Sequence, residues 1–263
     1  MERLGLIAGN GTFPFLVAQR ARERQWEVVA FAIQGEADPK LSQEVSELHW
    51  LEFWELEKLL DLLKSKGICK AMMAGQVKKR RVFEERNRLS SVQDALTDRL
   101  LIRMVIGRLK KIGVELLPST AFLEDSLATK GVLSRRSPTE AEWRDIAFGR
   151  KAARALCGFE IGQTVVVREG VVLAVEGVEG TDETIRRGGR LGKEGAVVVK
   201  MARPSQDMRF DVPVVGPQTL HTLHEARCGV LAVEAGKTLF LNREDVVGLA
   251  DGYGMGLVGI GRR

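Results

Sequence analysis

Cysteine, histidine and aromatic residues are scarce in this 263-residue sequence: three Cys, three His, and 6% Phe, Trp and Tyr together. Cys69, Cys157 and Cys228 lie far apart and make no CxxC pair. That spacing argues against a zinc site and against a disulfide framework. His49, His221 and His224 are too few for a histidine-based metal centre, and the His221/His224 pair has no third ligand near it in sequence. No apolar run reaches the ~18–20 residues needed to cross a bilayer. Met1-Glu2-Arg3 leads straight into a short strand-like segment, with no signal-peptide core, so an intracellular soluble protein is expected. Charge of one sign is also modest. The formal +5 is spread over both halves, which suits anionic partners in general and leaves no nucleic-acid footprint.

What is present is enough to build a core. Hydrophobic residues make up 44% of the chain, and 28 glycines punctuate it. The first half alternates apolar strands (Leu4–Ala8, Val28–Ile33, Ile68–Ala74, Val114–Leu117) with helical spacing, as at Leu56, Leu59, Leu60 and Leu63. A second helical run, with Leu96, Leu100, Leu101, Met104, Val105 and Leu109, reaches Gly113. This alternation predicts a mostly parallel, Rossmann-like sheet. Polar residues around Gly131–Pro138 read as a linker, and Thr139 with Glu142 reads as a capping box that opens a helix. Beyond it come a hairpin at Thr164–Val167 and Val171–Val175, a helix from Asp182 to about Arg187, and a strand at Ala196–Lys200. A helix from Pro217, strands at Val230–Val233 and Thr238–Leu241, a helix capped by Asn242, and a last strand at Met255–Ile260 follow. The expectation is two α/β domains, residues 1–130 and 139–263, joined by 131–138.

Three segments carry chemistry. Gly9-Asn10-Gly11-Thr12 joins a strand to a helix, where free N–H groups and the helix dipole suit a phosphate; a tight turn needing glycine explains it equally well. Pro14 replaces the third glycine of a dinucleotide fingerprint, and Gln34 replaces the acid at the end of the second strand. Glu179-Gly180-Thr181-Asp182 places carboxylates beside a helix N-terminus, for substrate phosphate, for a hydrated metal, or for capping alone. The third is Lys200–Pro213. If it is extended, Asp207, Arg209 and Asp211 alternate onto one face. Two carboxylates there suit magnesium, and Lys200, Arg203 and Arg209 would neutralise phosphate charge. Lys78-Lys79-Arg80-Arg81, after Gly75-Gln76, is a further basic run, for a phosphate or an anionic membrane surface if it faces the cleft and a solvated loop otherwise.

Taken in order, GLIAGNGTFP (5–14), GQTVVV (162–167), AVEGVEGTDETIRR (174–187), KMARPSQDMRFDVPVVGPQTL (200–220) and GVLAVEAG (229–236) resemble one family over nearly the whole chain. It is the two-domain, non-calcineurin UDP-2,3-diacylglucosamine pyrophosphatase family of bacterial lipid A synthesis. The resemblance implies hydrolysis of the substrate diphosphate to UMP and 2,3-diacylglucosamine 1-phosphate (lipid X), with water attacking the sugar-side phosphorus. It also implies Mg2+, a substrate chamber between the domains, and work at the cytoplasmic face of the inner membrane as a peripheral protein. An aspartate of the C-terminal domain is essential in that family, and Asp207 and Asp211 both match its motif. The implied catalytic set is Asp207, Asp211, Arg209 and Lys200, with Asp207 and Asp211 as metal ligands. The implied substrate set is Gly9, Asn10, Gly11, Thr12, Gly75, Gln76, Glu179, Gly180, Thr181, Asp182, Arg203 and Gln206. Arg203 stands where lysine is usual, which keeps the charge. The competing readings are a non-catalytic nucleotide-sugar or lipid-binding module and a Rossmann oxidoreductase.

Overall fold

The computed structural model describes residues 2–77, 98–204, 206–210 and 212–261. Lys78–Arg81, Leu96 and Asp211 therefore lie outside the described residues. The chain forms two units, each with its own sheet: Met1–Leu123 with Met208–Phe210, and Glu124–Asp207 with Asp211–Arg263.

The first unit holds β1 (Arg3–Ala8), α1 (Phe13–Glu23), β2 (Glu27–Ile33), β3 (Glu47–Leu51), α2 (Leu56–Ser65), β4 (Lys70–Ala74), α3 (Asp98–Lys111) and β5 (Glu115–Leu116). Its sheet is parallel throughout, in the order β3-β2-β1-β4-β5. The inner strands are apolar along their length because helices cover a parallel sheet on both faces. Strand β3 was not foreseen: its Glu, His and Trp residues are half-buried at the sheet edge, so the apolar run that marks an inner strand is missing.

The second unit holds β6 (Gly131–Val132), α4 (Glu140–Gly158), β7 (Thr164–Arg168), β8 (Val171–Val175), α5 (Thr181–Gly192), β9 (Ala196–Lys200), β10 (Val214–Val215), α6 (Pro217–Glu225), β11 (Cys228–Glu234), β12 (Leu239–Phe240), α7 (Arg243–Gly252) and β13 (Gly256–Ile260). Six strands run in the order β6-β13-β11-β9-β7-β8, with β13, β11 and β9 parallel and the flanking pairs antiparallel. Alternation along β9 divides the core. Val197 and Val199 pack with Ile146, Ala153 and Cys157 of α4, whereas Val198 packs with Ile185 of α5 and Leu220 of α6.

Several local readings change. Gly131–Val132 is no linker but an edge strand paired with Val258 and Gly259, and Ser134 Oγ accepts from Leu257 N–H at 2.7 Å. Helix α5 runs to Gly192 rather than Arg187. Its Gly188 sits so close to β7 that a Cβ would lie 2.6 Å from Val166 Cβ, so a residue that weakens helix propensity is what lets the helix dock. Asn242 holds the N-cap position of α7 in left-handed backbone, but its amide donates to Asp245 and caps nothing. The Thr139/Glu142 capping box forms as read.

Buried Asp145 on α4 ties this unit together. Its carboxylate accepts from the N–H groups of Glu169 and Gly170, both at 2.8 Å, in a hairpin turn whose two residues have φ of 51° and 75°. Asp145→Ala is expected to cost about 3 kcal/mol in urea unfolding, since two charge-assisted bonds go and two N–H groups lose their acceptor.

Candidate functional site

In the second unit the chemistry gathers around the end of β9. Lys200 closes that strand with only 7% of its surface exposed. Its Nζ donates to Thr181 Oγ1 at 2.6 Å, and Thr181 Oγ1 donates to Glu176 Oε1 at 3.1 Å. Glu176 Oε2 accepts from Gln163 N–H at 3.1 Å. A directional relay thus runs from ammonium through hydroxyl to carboxylate. Burial pushes the Glu176 carboxyl up, but the Lys200 charge and these hydrogen bonds outweigh it, and its pKa lies below the usual carboxylate range. Among the described residues, Thr181 is the only hydrogen-bond acceptor of Lys200, so two of its three N–H donors remain for an anionic ligand.

Thr181 is the first residue of α5, and Gly180 takes the N-cap position without a side-chain cap. Neither Thr181 nor Asp182 caps the helix, contrary to one of the readings of the sequence. Asp182 is half-buried, and no described residue donates a hydrogen bond to it. Burial pushes its carboxyl up, and Arg186 and Lys200 only partly reverse this. A carboxyl with a raised folded pKa adds stability below its unfolded pKa and loses it as pH rises through the folded value. Asp182→Asn is therefore expected to raise Tm at pH 7, with the gain shrinking as the pH falls to 3. Thermal melts across that range read it directly. Glu179 is committed differently: its carboxylate accepts from Gly177 N–H at 3.1 Å and from Arg187 at 2.7 Å, tying the loop to α5.

The loop after β9 is pinned from below. Met201 N–H donates to Gln163 O at 2.9 Å, and Ala202 N–H donates to Oε2 of buried Glu234 at 3.1 Å. Gln206 Oε1 accepts from Arg203 N–H at 2.8 Å, which leaves Gln206 Nε2 buried without a partner among the described residues. Cys157 lies beneath, its Sγ 3.6 Å from Met201 O; burial pushes its thiol up to about 11, so it stays protonated at neutral pH. The reading of 207–211 as extended does not hold. Met208–Phe210 form a turn, so Asp207 and Arg209 do not alternate along a strand, and Asp211 lies outside the described residues.

In the first unit the structure brings Gly9–Thr12 and Gly75-Gln76 together at the carboxyl ends of neighbouring β1 and β4. Asn10 N–H donates to Gln76 O at 2.8 Å, and Gln76 N–H returns to Asn10 O at 3.3 Å. A Cβ on Gly9 would lie 2.5 Å from Gln76 O, and one on Gly75 would lie 2.5 Å from Asn10 O. Both glycines are thus explained by the crossing of two backbones. The crossing sits beside the switch in strand order, where open α/β sheets bind ligands. Asn10 Nδ2 donates to Glu36 Oε2 at 2.9 Å. Glu36 lies two residues beyond Gln34, outside the strand end where the dinucleotide fingerprint places its acid.

The comparisons agree with this division. The model of the LpxI N-terminal domain matches residues 3–126, and that of the LpxI C-terminal domain matches residues 129–258. The chain belongs to the LpxI family. One similar protein is the UDP-2,3-diacylglucosamine pyrophosphatase LpxI of Caulobacter vibrioides, 29% identical over 276 residues that cover 99% of this chain and 98% of that one. Solved structures are more distant. CobK precorrin-6A reductase is 15% identical with a TM-score of 0.36, covering 100% of this chain and 89% of that one. A biotin carboxylase from Campylobacter jejuni is 10% identical with a TM-score of 0.28, covering 72% and 41%.

Proposed function

We propose that this LpxI-family enzyme hydrolyses the diphosphate of UDP-2,3-diacylglucosamine to UMP and 2,3-diacylglucosamine 1-phosphate. The observation that carries the reading is the buried Lys200, which among the described residues donates only to Thr181 and lies beside the N-terminus of α5, which has no side-chain cap. A diphosphate supplies the anionic oxygens that such donors take.

In this reading Lys200 and Arg203 neutralise the phosphoryl oxygens, joined by Arg209. Thr181 and Glu176 hold the Lys200 ammonium in place. Asp207 or Asp211 accepts the proton of the attacking water as its oxygen bonds to the sugar-side phosphorus and the bond to UMP breaks. The Gly9–Thr12 turn, with Gly75 and Gln76, takes the nucleotide.

Magnesium is part of the proposal. The potential donors around the loop after β9 are carboxylate and amide oxygens, while the neighbouring Cys157 thiol is protonated, so the set suits a hard cation. Among the described residues no three His, Cys, Asp or Glu side chains gather to form a cage. Magnesium characteristically takes one or two carboxylates, here whichever of Asp207 and Asp211 is not the base, and completes its shell with substrate phosphate and water. When bound it would stabilise charge on the phosphoryl oxygens.

No helix among the described residues is long and apolar enough to cross a membrane. Peripheral contact with the cytoplasmic face of the inner membrane, where the acyl chains of the substrate lie, belongs to the same proposal.

One assay decides it: UMP release from UDP-2,3-diacylglucosamine with magnesium, and with chelator. Release that depends on magnesium is expected. Saturable binding without UMP would identify a binding module instead.

A further inference from the structure

Ser119 belongs to no catalytic motif and follows the two-residue strand β5 by three positions. It is nevertheless 1% exposed and hydrogen-bonded on every side. Its N–H donates to Met208 O at 2.7 Å, and its Oγ lies 2.8 Å from both Met73 O and Arg209 O. Two consecutive carbonyls of a distant segment are therefore held by one residue, through its amide and its hydroxyl. The same hydroxyl reaches the penultimate residue of β4, which leads directly into Gly75-Gln76. Met208–Phe210 pack as part of the first unit, although the chain on either side belongs to the second.

From this geometry we infer that Ser119 is a positioning residue of the hydrolytic site. It fixes the turn that carries Arg209 and is entered from Asp207. The inference rests on the proposed function, because it needs that turn to act on substrate. The physical reason is register. A turn residue is free to rotate its peptide plane unless its carbonyl has a fixed donor. Here two successive planes are fixed, so the orientation of the turn at Met208 and Arg209 is fixed as well. A buried serine does this with one rigid χ1 and little entropy cost, and a hydroxyl shared between two carbonyls ties the turn to the end of β4.

Ser119→Ala keeps the amide bond to Met208 and removes the shared hydroxyl. A misplacement of an ångström or less at reacting groups is enough to lower kcat by about 10- to 100-fold. That fall is expected with KM changed less than about threefold and with faster hydrogen exchange of the residue-119 amide. Ser119→Thr, which retains the hydroxyl, should restore most of kcat. Thr222→Val serves as the structural control: Thr222 is fully buried, and among the described residues its hydroxyl bonds only within α6, to Gln218 O at 3.0 Å, so kcat should stand. Full kcat in Ser119→Ala, or a threonine variant as impaired as alanine, would overturn the inference. If Ser119→Ala does not fold, Ser119→Cys keeps the size and weakens the donor. An intermediate loss there supports the inference, and full kcat sinks it. Wild-type protein that releases no UMP refutes the proposed function instead, a result that cannot be confused with these.

Discussion

Lys200→Met is expected to lower kcat/KM for UDP-2,3-diacylglucosamine by about 10²–10³-fold, the usual cost of losing one preorganised donor to transition-state charge. The effect should be large because Lys200 is buried: a charge–phosphate contact with little water around it is screened far less than one at the surface. Methionine matches the length of the stem and deletes only the ammonium, so packing around Met201 and Val199 should survive. Stability should respond in a distinct way. Glu176 would lose its counter-charge, and burial would then be opposed only by its hydrogen bonds, so its carboxyl would move up. In the wild type the depressed pKa of Glu176 adds stability above its unfolded pKa, lost as the pH falls through the folded value. In Lys200→Met that contribution shrinks, so Tm at pH 7 should fall while the acid limb below pH 4 flattens. Adding Glu176→Gln removes the stranded charge and should recover Tm without recovering turnover. Steady-state kinetics and melts on the single and double variants separate the two roles. A single variant within threefold of wild-type kcat/KM would remove Lys200 from the chemistry.

The distribution of correct and missed readings has a physical cause. Signals contained in a few residues were legible: the Thr139/Glu142 capping box, the glycine-punctuated hairpin at Glu169-Gly170, and the apolar runs of β1, β9 and β11. Each is decided by local sterics or by hydrogen bonds between near neighbours. Features decided by partners far along the chain were not. Strand β3 exists because β2 offers it an edge, and its own residues carry no strand signature. Gly188 and Gly192 look like a helix end until β7 and β8 are seen packed against them. The Gly9 turn was read as a phosphate loop or a tight turn, and the crossing with Gln76 that explains Gly9 needs the fourth strand in place. The extended reading of Asp207–Asp211 failed for the same reason. Its turn is held by Ser119, almost ninety residues away. Of the candidate site, residue types and neighbourhoods were readable, and the resemblance to the family supplied the reaction. The relay through Thr181 to Glu176, the acid at Glu36 and the support of Glu234 under Ala202 were visible only in the fold.

The two aspartates can now be told apart by experiment rather than by spacing. Met208–Phe210 form a turn and not a strand, so the alternation that would have made Asp207 and Asp211 equivalent is gone. A general base and a metal ligand respond differently when the carboxylate becomes an amide. Loss of a base removes the proton acceptor at any magnesium concentration, a loss of about 10²–10⁴ in kcat, and it flattens the acid limb of the pH–rate profile. Loss of a ligand raises the magnesium concentration needed for half-maximal rate and is partly recovered by adding more. Asp207→Asn and Asp211→Asn are therefore expected to fall on opposite sides of this division, one unresponsive to added magnesium and the other responsive. Full turnover of the UDP-lipid by both variants would mean that neither carboxylate acts. The activated water would then have to be sought at Asp182, whose carboxyl burial already holds above the ordinary range.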